Sequence, residues 1–395
     1  MNDEQRRDRF ARVERGLQVI AGGGMIVLVD DEDRENEGDL VVAGSHCTAE
    51  HVNFMCTWGR GLICVALSAA RVASLRLPMM VPTDPGNMGT AFTVSVEARE
   101  GVTTGISAGD RARTIAVCVD EAQGADDLVS PGHIFPLRAQ RGGVLVRSGH
   151  TEGAVDLARL AGLPPAGVIC EIMRDDGEMA RMDDLETFAA KHELPIMSIA
   201  ELIEYRLERE VLVEEIEHAA AGGVTPAALG LPNLEGWTVR SFRSTVDPVN
   251  YYLALCKGDI SPEGGEGPVL VRAQQARVLG DVFGFGVGGD DSGRRLRAAL
   301  SQIDAAGRGV FLYVVTPTSQ DVARVLSTPG SDVAPEMPGL KSAESGFRQF
   351  GLGAQVLRAL GLSRIVVMTN NPRKIIGLSG FGIDVVGSAP IEGAP

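Results

Sequence analysis

The sequence predicts two domains of the α/β (α+β) class, each a mixed sheet covered by helices. Three observations carry this. The chain has 395 residues, more than a single hydrophobic core ordinarily serves, so two domains are expected. Apolar runs of strand length recur in both halves: Met25–Val29, Leu62–Leu67, Val168–Met173, Tyr251–Asp259 and Val310–Val315. Between them lie stretches with helical spacing or helix-capping residues, as a sheet with covering helices requires.

The elements follow in order. Phe10, Val13, Leu17 and Ile20 recur at helical spacing, and Gly22-Gly23-Gly24 ends that helix. Met25–Val29 then reads as a buried strand. It runs into Asp30-Asp31-Glu32-Asp33-Arg34-Glu35-Asn36-Glu37-Gly38-Asp39, and Leu40–Ala43 returns to the core. Packed carboxylates repel unless a cation or a proton offsets them. A hard divalent ion, Mg²⁺ or Mn²⁺, is the natural partner for such oxygen ligands.

Thr48 reads as the N-cap of a helix carrying Val52 and Met55, and Leu62–Leu67 as the next strand. Pro82–Asn87 is a turn-rich loop, either a connector or a lid over substrate. Phe92–Glu97 alternates like a half-buried strand, and Ser107 with Asp110 resembles a capping box. His133 sits among turn residues, Pro131-Gly132-His133.

Gly143–Val146 reads as a strand entering a loop, after which Thr151 caps a helix ending at Gly162. Arg147 and the Ser148–Thr151 amides would converge at that helix start, a geometry suited to a phosphate dianion. His150 beside them offers an imidazole to a metal. Val168–Met173 places Glu171 inside an apolar strand. Such an acid is either paired with a structural arginine or kept as an acid/base group. A helix from Asp183, a strand Pro195–Ile199 and a helix from Ala200 to near Arg209 close the first half. The expected division is residues 1–206, a connection over 207–237, and a second domain over 238–395.

Bulk composition is that of a globular protein, 44% hydrophobic and 23% charged. A formal net charge of −15 argues against nucleic-acid binding. No apolar run approaches membrane-spanning length and the first residues are charged, so a cytoplasmic protein with no membrane partner is expected. The six cysteines include no CxxC pair, and most sit inside apolar stretches, as reduced core thiols do. No histidine follows His218, and Cys256 is the sole cysteine after residue 206. The second half thus lacks the side chains of a Cys/His zinc site, and no zinc is expected.

The segment DDEDRENEGD closely resembles the signature loop of 3,4-dihydroxy-2-butanone 4-phosphate synthases. The likeness continues through HVNFMCTWGRGLICVAL, FTVSVEAREGVTTGISAGDRARTI, PGHIFPLRAQRGGVLVRSGHTEGAVDLARLAGLPPAGVICEIM and MSIAELIEYR. The resemblance implies conversion of D-ribulose 5-phosphate to L-3,4-dihydroxy-2-butanone 4-phosphate and formate by a homodimer. It implies Glu35 and His150 as ligands of Mg²⁺ or Mn²⁺. It implies Arg34, Glu35, Asp39, Arg147, Ser148, Gly149, His150, Thr151 and Glu171 as the sugar-phosphate site. His133 and Glu171 would move protons, and Glu37 is a candidate for a further acid/base role.

The remainder resembles the GTP cyclohydrolase II half of bifunctional riboflavin enzymes, with its chemistry missing. Gln274-Gln275-Ala276-Arg277 stands where that family has His-Ser-Glu-Cys, and the run from Phe285 to Asp291 replaces two further zinc cysteines. Thr316–Gln320 replaces a Glu-Gly-Arg-Gly loop, and Gly346 replaces an acid. Gly280-Asp281-Val282-Phe283-Gly284, Arg348, Thr369 and Lys374 match the family. The resemblance therefore implies a catalytically silent domain kept for folding and dimer geometry. A residual nucleotide or effector site at Arg348, Thr369 and Lys374 is the rival, and a paralogue with an altered substrate is the third reading.

Overall fold

The computed structural model describes residues 3–30, 34–81, 89–216, 236–246, 250–261, 267–277, 280–281, 292–316, 342–370 and 378–391. Residues 3–6, 342–350 and 379–380 are described by their backbone alone. The expected loop at Pro82–Asn87 and most of the stretch from Thr316 to Glu344 lie outside the described residues. The chain divides into two compact units, with the break after Arg206.

The first unit is built on a seven-stranded mixed sheet of order β4-β5-β3-β6-β2-β1-β7. Its strands are β1 (Ile26–Val29), β2 (Gly38–Ala43), β3 (Cys64–Leu67), β4 (Val96–Ala98), β5 (Leu128–Arg138), β6 (Ala166–Glu171) and β7 (Ile196–Ser198). β1, β2 and β3 are buried at every position and β6 at all but its last, as central strands covered on both faces must be. The helices are α1 (Asp3–Ala21), α2 (Ala49–Phe54), α3 (Ala69–Ser74), α4 (Ala108–Val119), α5 (His150–Leu160), α6 (Met182–Lys191) and α7 (Ile199–Arg209). Thr48 and Ser107 cap α2 and α4 as expected, each accepting the backbone N–H three residues on. The reciprocal half at Ser107 is missing, because the Asp110 carboxylate instead accepts from Thr103 Oγ1 and from the Gly105 N–H.

Three local expectations need correction. Gly143–Leu145 is a short 3-10 turn, not a strand, because Gly142 and Gly143 both have positive φ, which breaks an extended backbone. The N-cap of α5 is Gly149, with no side-chain cap, so Thr151 lies inside the first turn. His133 lies within β5, not in a turn, because the strand runs through Pro131 from Leu128.

The turn before α5 is held by a buried ion pair. Asp156 and Arg206 expose 5% and 3% of their side chains and meet at 2.6 Å. Asp156 Oδ2 also accepts the Val144 N–H at 2.8 Å, and Arg206 donates to Gly142 O at 2.7 Å. Burial pushes the Asp156 carboxyl upward, against the pull of Arg206. Removing one partner strands the other. Arg206→Met should therefore cost about 3–5 kcal/mol in urea unfolding, and Arg206→Met with Asp156→Leu should recover most of it. Equal stability of wild type and Arg206→Met would show that the pair contributes nothing.

The second unit has its own seven-stranded mixed sheet, β14-β13-β11-β12-β10-β9-β8. The strands are β8 (Val213–Glu215), β9 (Trp237–Ser244), β10 (Tyr251–Lys257), β11 (Val269–Gln275), β12 (Gly309–Val315), β13 (Arg364–Met368) and β14 (Asp384–Ala389). β11, β12, β13 and β14 pair in parallel, while β8, β9, β10 and β12 pair antiparallel. Two described helices accompany the sheet, α8 (Ser292–Ala306) and α9 (Ser342–Ala359). Ala299 and Ile303 of α8 pack with Trp237, Phe311 and Met368. β8 lies in the stretch read as a connection, yet it pairs with β9 as an edge strand of this sheet.

Candidate active site

The acidic segment is the turn of a hairpin, with Val29 opposite Gly38. Asp30 organises it. Its side chain is wholly buried, and its carboxylate accepts the N–H groups of Glu35 (3.1 Å) and Glu37 (2.8 Å). Arg34 reaches Asp30 at 2.8 Å and Glu35 at 2.5 Å. Arg181 donates to the carbonyls of Glu35 and Asn36 from outside the loop. Asn36 takes a positive φ of 55°, which the tight turn demands. Asp31, Glu32 and Asp33 lie outside the described residues.

The loop is aimed at the start of α5, which packs across β6, β2 and β3. Asp39 of β2 pairs directly with Glu171 of β6, so the two carboxylates share one face. His150, the first residue of α5, lies over them. Its Nδ1 is 3.8 Å from Glu35 Oε2 and 4.0 Å from Asp39 Oδ1. Single ligand atoms of Asp30, Glu35 and His150 fall within 4.8 Å of one another. Asp39 Oδ1 and His150 Nε2 are buried without a hydrogen-bond partner.

The electrostatics follow from this crowding. Burial drives Asp39 up to about 7, with Glu171, Glu35 and Glu37 adding to it and His150 opposing. Burial pulls His150 down, but Asp39, Glu35 and Asp30 outweigh it and hold the imidazole up, at about 9. Burial would raise Glu35, yet His150 and Arg34 hold it below the usual carboxylate range. Glu37 is raised by burial and by Glu35. Oxygen and imidazole donors that are buried and unsatisfied fit a hard divalent cation, whose charge would offset this repulsion.

The expected phosphate cradle is more constrained than the sequence suggests. Arg147 donates to Glu152 Oε2 at 2.6 Å and to Thr90 Oγ1 at 3.1 Å. Glu152 also accepts the Gln140 N–H. A Cβ at Gly149 would fall 2.2 Å from Arg147 Nη1, so a side chain there would shift the guanidinium. Ser148 and Thr151 are buried. With no side-chain cap on α5, the N–H groups of its first turn remain as anion donors.

His133 has a partner that the sequence reading missed. Its Nδ1 lies 2.6 Å from Glu97 Oε2, and Glu97 Oε1 accepts from Thr114 Oγ1 at 2.9 Å. In the alternation expected at Phe92–Glu97, Glu97 falls on the polar face with Thr93 and Ser95, so nothing local marked it as a buried partner. β3 joins the two halves of the row: Cys64 pairs with Phe135 on one side and with Ile169 on the other. Beyond Cys64 the regular pairing ends, and the bridge between Arg60 and Ile172 is offset by one residue. His133 and Glu171 thus stand on the two strands either side of β3, with Asp39 paired to Glu171. Glu171 is half-buried at the end of β6, not enclosed within the strand, and accepts the Leu62 N–H at 2.8 Å. Glycine at 61 allows this, because a Cβ would meet Glu171 Oε2 at 2.5 Å.

In the second unit, Arg348 lies on α9 with its side chain outside the described atoms. Thr369 follows β13 and its N–H donates to Ala389 O at 2.8 Å. Lys374 lies outside the described residues. Gln274 occupies β11 and donates to Asp281 Oδ1 at 3.0 Å, while Tyr313 donates to Asp281 Oδ2 at 2.8 Å. Cys256 is a buried thiol on β10, pushed up to about 11 by burial.

Two family models cover the chain. Residues 14–205 match 3,4-dihydroxy-2-butanone 4-phosphate synthase, and residues 227–390 match GTP cyclohydrolase II. The riboflavin biosynthesis protein RibBA of Aquifex aeolicus is 43% identical over 402 residues, covering 99% of this chain and 95% of its own. The monofunctional riboflavin biosynthesis protein RIBA 2, chloroplastic, of Arabidopsis thaliana is 41% identical, covering 98% of this chain and 78% of its own. The crystal structure of RibBX, a two domain 3,4-dihydroxy-2-butanone 4-phosphate synthase from A. baumannii, superposes with a TM-score of 0.73 at 38% identity, covering 96% of this chain and 99% of that one.

Proposed function

This chain belongs to the riboflavin-biosynthesis family that joins a 3,4-dihydroxy-2-butanone 4-phosphate synthase domain to a GTP cyclohydrolase II-type domain, and from that premise we propose that only the first domain is catalytic. It converts D-ribulose 5-phosphate to L-3,4-dihydroxy-2-butanone 4-phosphate and formate. The observation that carries this reading is the meeting of Glu35, Asp39 and His150 beside Glu171, with Asp39 Oδ1 and His150 Nε2 buried and unpartnered. Glu35 and His150, with Asp30 in reach, would hold Mg²⁺ or Mn²⁺. Such an ion supplies Lewis-acid stabilisation of developing oxyanions. Arg147 and the first-turn N–H groups of α5 bind the phosphate, with Ser148, Gly149 and Thr151 shaping the cradle. Arg34 and Asp39 orient the sugar hydroxyls. His133 and Glu171 exchange protons with the carbon skeleton, and Glu37, raised by burial, is placed to lend a further proton. Incubating the protein with ribulose 5-phosphate and Mg²⁺ should release formate in a coupled formate dehydrogenase assay. No formate above background would sink the reading.

The second domain, over 238–395, is proposed to lack cyclohydrolase chemistry. Zinc in that family needs thiolates, which must meet at about 2.3 Å in a tetrahedral array. Cys256 is the sole cysteine after residue 206 and is enclosed in β10. Gln274 stands where the resemblance expects a histidine, and it is engaged with Asp281. Two full-length relatives are described in their own names as a monofunctional protein and as a two domain synthase. Elemental analysis should find no stoichiometric zinc, and GTP should yield neither formate nor pyrophosphate. Bound zinc, or GTP turnover that disappears with Arg348→Ala, would reverse this assignment.

We further infer a reducing, cytoplasmic setting, since all six cysteines are free thiols and no described helix is long and apolar enough to cross a membrane. A homodimer is expected by family likeness, with the elution volume on size exclusion as its check.

A further inference from the structure

We propose that Glu152 and Thr90 form a two-point clamp on the guanidinium of Arg147, and that this clamp sets the affinity for the phosphate of the substrate. Glu152 and Thr90 are then positioning residues, acting through Arg147. The part that concerns substrate rests on the synthase reading.

The two contacts grip different nitrogens. Glu152 Oε2 accepts from Arg147 Nη1 at 2.6 Å, and Thr90 Oγ1 accepts from Nη2 at 3.1 Å. A single contact lets a planar guanidinium swing about that bond, whereas two on separate nitrogens fix its plane. The plane is held against Gly149, the N-cap of α5. A Cβ there would fall 2.2 Å from Nη1 and 2.9 Å from Glu152 Oε2. The cation therefore stands where the first-turn N–H groups of the helix begin, and both kinds of anion donor converge.

Each side of the clamp is itself anchored. The Glu152 side chain is 1% exposed, and its other oxygen accepts the Gln140 N–H at 3.0 Å. Asp156, one turn later on α5, accepts the Val144 N–H at 2.8 Å. Two acids of α5 thus hold the segment from Gln140 to Arg147 at three points. Thr90 is fixed through the residues after it. The Arg138 N–H donates to Ala91 O at 2.9 Å, and Phe92 bridges to Leu137 of β5.

The chemistry of position 152 requires a carboxylate. Both of its oxygens accept, one from Arg147 and one from the Gln140 backbone. A glutamine has one acceptor oxygen, so one of those donors would face an NH₂ group. A carboxylate near a bound dianion also repels it, which opposes the clamp. Orientation dominates, because a released arginine regains rotamer freedom that binding must then remove.

The test uses the full-length protein with inorganic phosphate as the probe, read by titration calorimetry and by competitive inhibition of formate release. Glu152→Gln should weaken phosphate binding roughly 10-fold and raise KM for ribulose 5-phosphate by the same factor, with kcat changed less than about 3-fold. Thr90→Val should weaken phosphate about 5-fold, and Thr90→Ser should restore it. In an Arg147→Ala background neither substitution should have a further effect, since the clamp then holds nothing, whereas a merely structural role would add. Should Glu152→Gln not fold, the Thr90 variants decide. Phosphate binding unchanged or tightened in the folded variants, or losses that add to Arg147→Ala, overturns the clamp. Calorimetry needs no turnover: if wild type releases no formate while Glu152→Gln still weakens phosphate binding, the synthase reading fails and the clamp stands.

Discussion

Glu35→Gln and His150→Ala should each lower formate release from ribulose 5-phosphate by about 10²–10³-fold. The argument starts from charge. Asp30, Glu35, Glu37, Asp39 and Glu171 surround one short stretch of sheet and loop, and the cations facing them are Arg34, His150 and Arg181. Arg34 is bound to Asp30 and Glu35, and Arg181 to the loop backbone. Asp39 is thus left with His150 as its nearest positive group, at 4.0 Å, and with one oxygen unpartnered. A divalent ion would resolve that excess of negative charge, and Glu35 and His150 are the groups that can turn toward it. Glu35→Gln keeps the shape and removes the charge, so its effect reports metal affinity rather than packing. Chelation with EDTA should stop wild-type turnover, and added Mg²⁺ or Mn²⁺ should restore it. Titration calorimetry should show Mn²⁺ binding weakened in both variants. Full turnover by metal-stripped wild type would end the assignment.

Much of this site can be read from the chain, and the failures have physical causes. The acidic turn at 30–39 was legible because two apolar runs bracket a polar segment, which forces the polar groups together at the ends of β1 and β2. The capping residues Thr48 and Ser107 were legible because the signal is local. Pairing across the sheet was not. Glu97 and His133 are 36 residues apart, and no local pattern announces that a β4–β5 pairing brings them into contact. Arg147 was expected to await a phosphate, yet Glu152, five residues on, already holds it at 2.6 Å. That contact depends on the turn at Gly142–Gly143, where positive φ replaces the extended strand expected from Val144-Leu145-Val146. Hydrophobicity was the misleading signal there, because those residues are buried by the turn itself. In the second half, apolar runs located β10 and β12. The stretch holding the edge strand β8 reads as an acidic strand or helix at the start of the connection, because three residues with two glutamates do not decide between the two.

His133→Ala and Glu171→Gln should lose turnover by roughly 10²–10⁴-fold while KM moves little. His133 lies on β5 and Glu171 on β6, the two strands that flank β3. Neither lies at Arg147 or the start of α5, where the phosphate is proposed to bind. Ground-state binding should therefore survive their removal. Proton transfer is made only in the transition state, so its loss falls on kcat. Glu171 has a second engagement, since its Oε2 accepts the Leu62 N–H at 2.8 Å. Glu171→Gln can keep that bond through its amide oxygen, so a loss of turnover in this variant reports the ionisable proton. The two variants should also differ. His133 is half-exposed and held by Glu97 alone, whereas Glu171 abuts Asp39, so Glu171→Gln should relieve repulsion at Asp39 and raise thermal stability slightly. His133→Ala should not. If both variants raise KM in proportion to any loss of kcat/KM and leave kcat near wild type, these residues bind substrate and the proton-transfer roles must be assigned elsewhere.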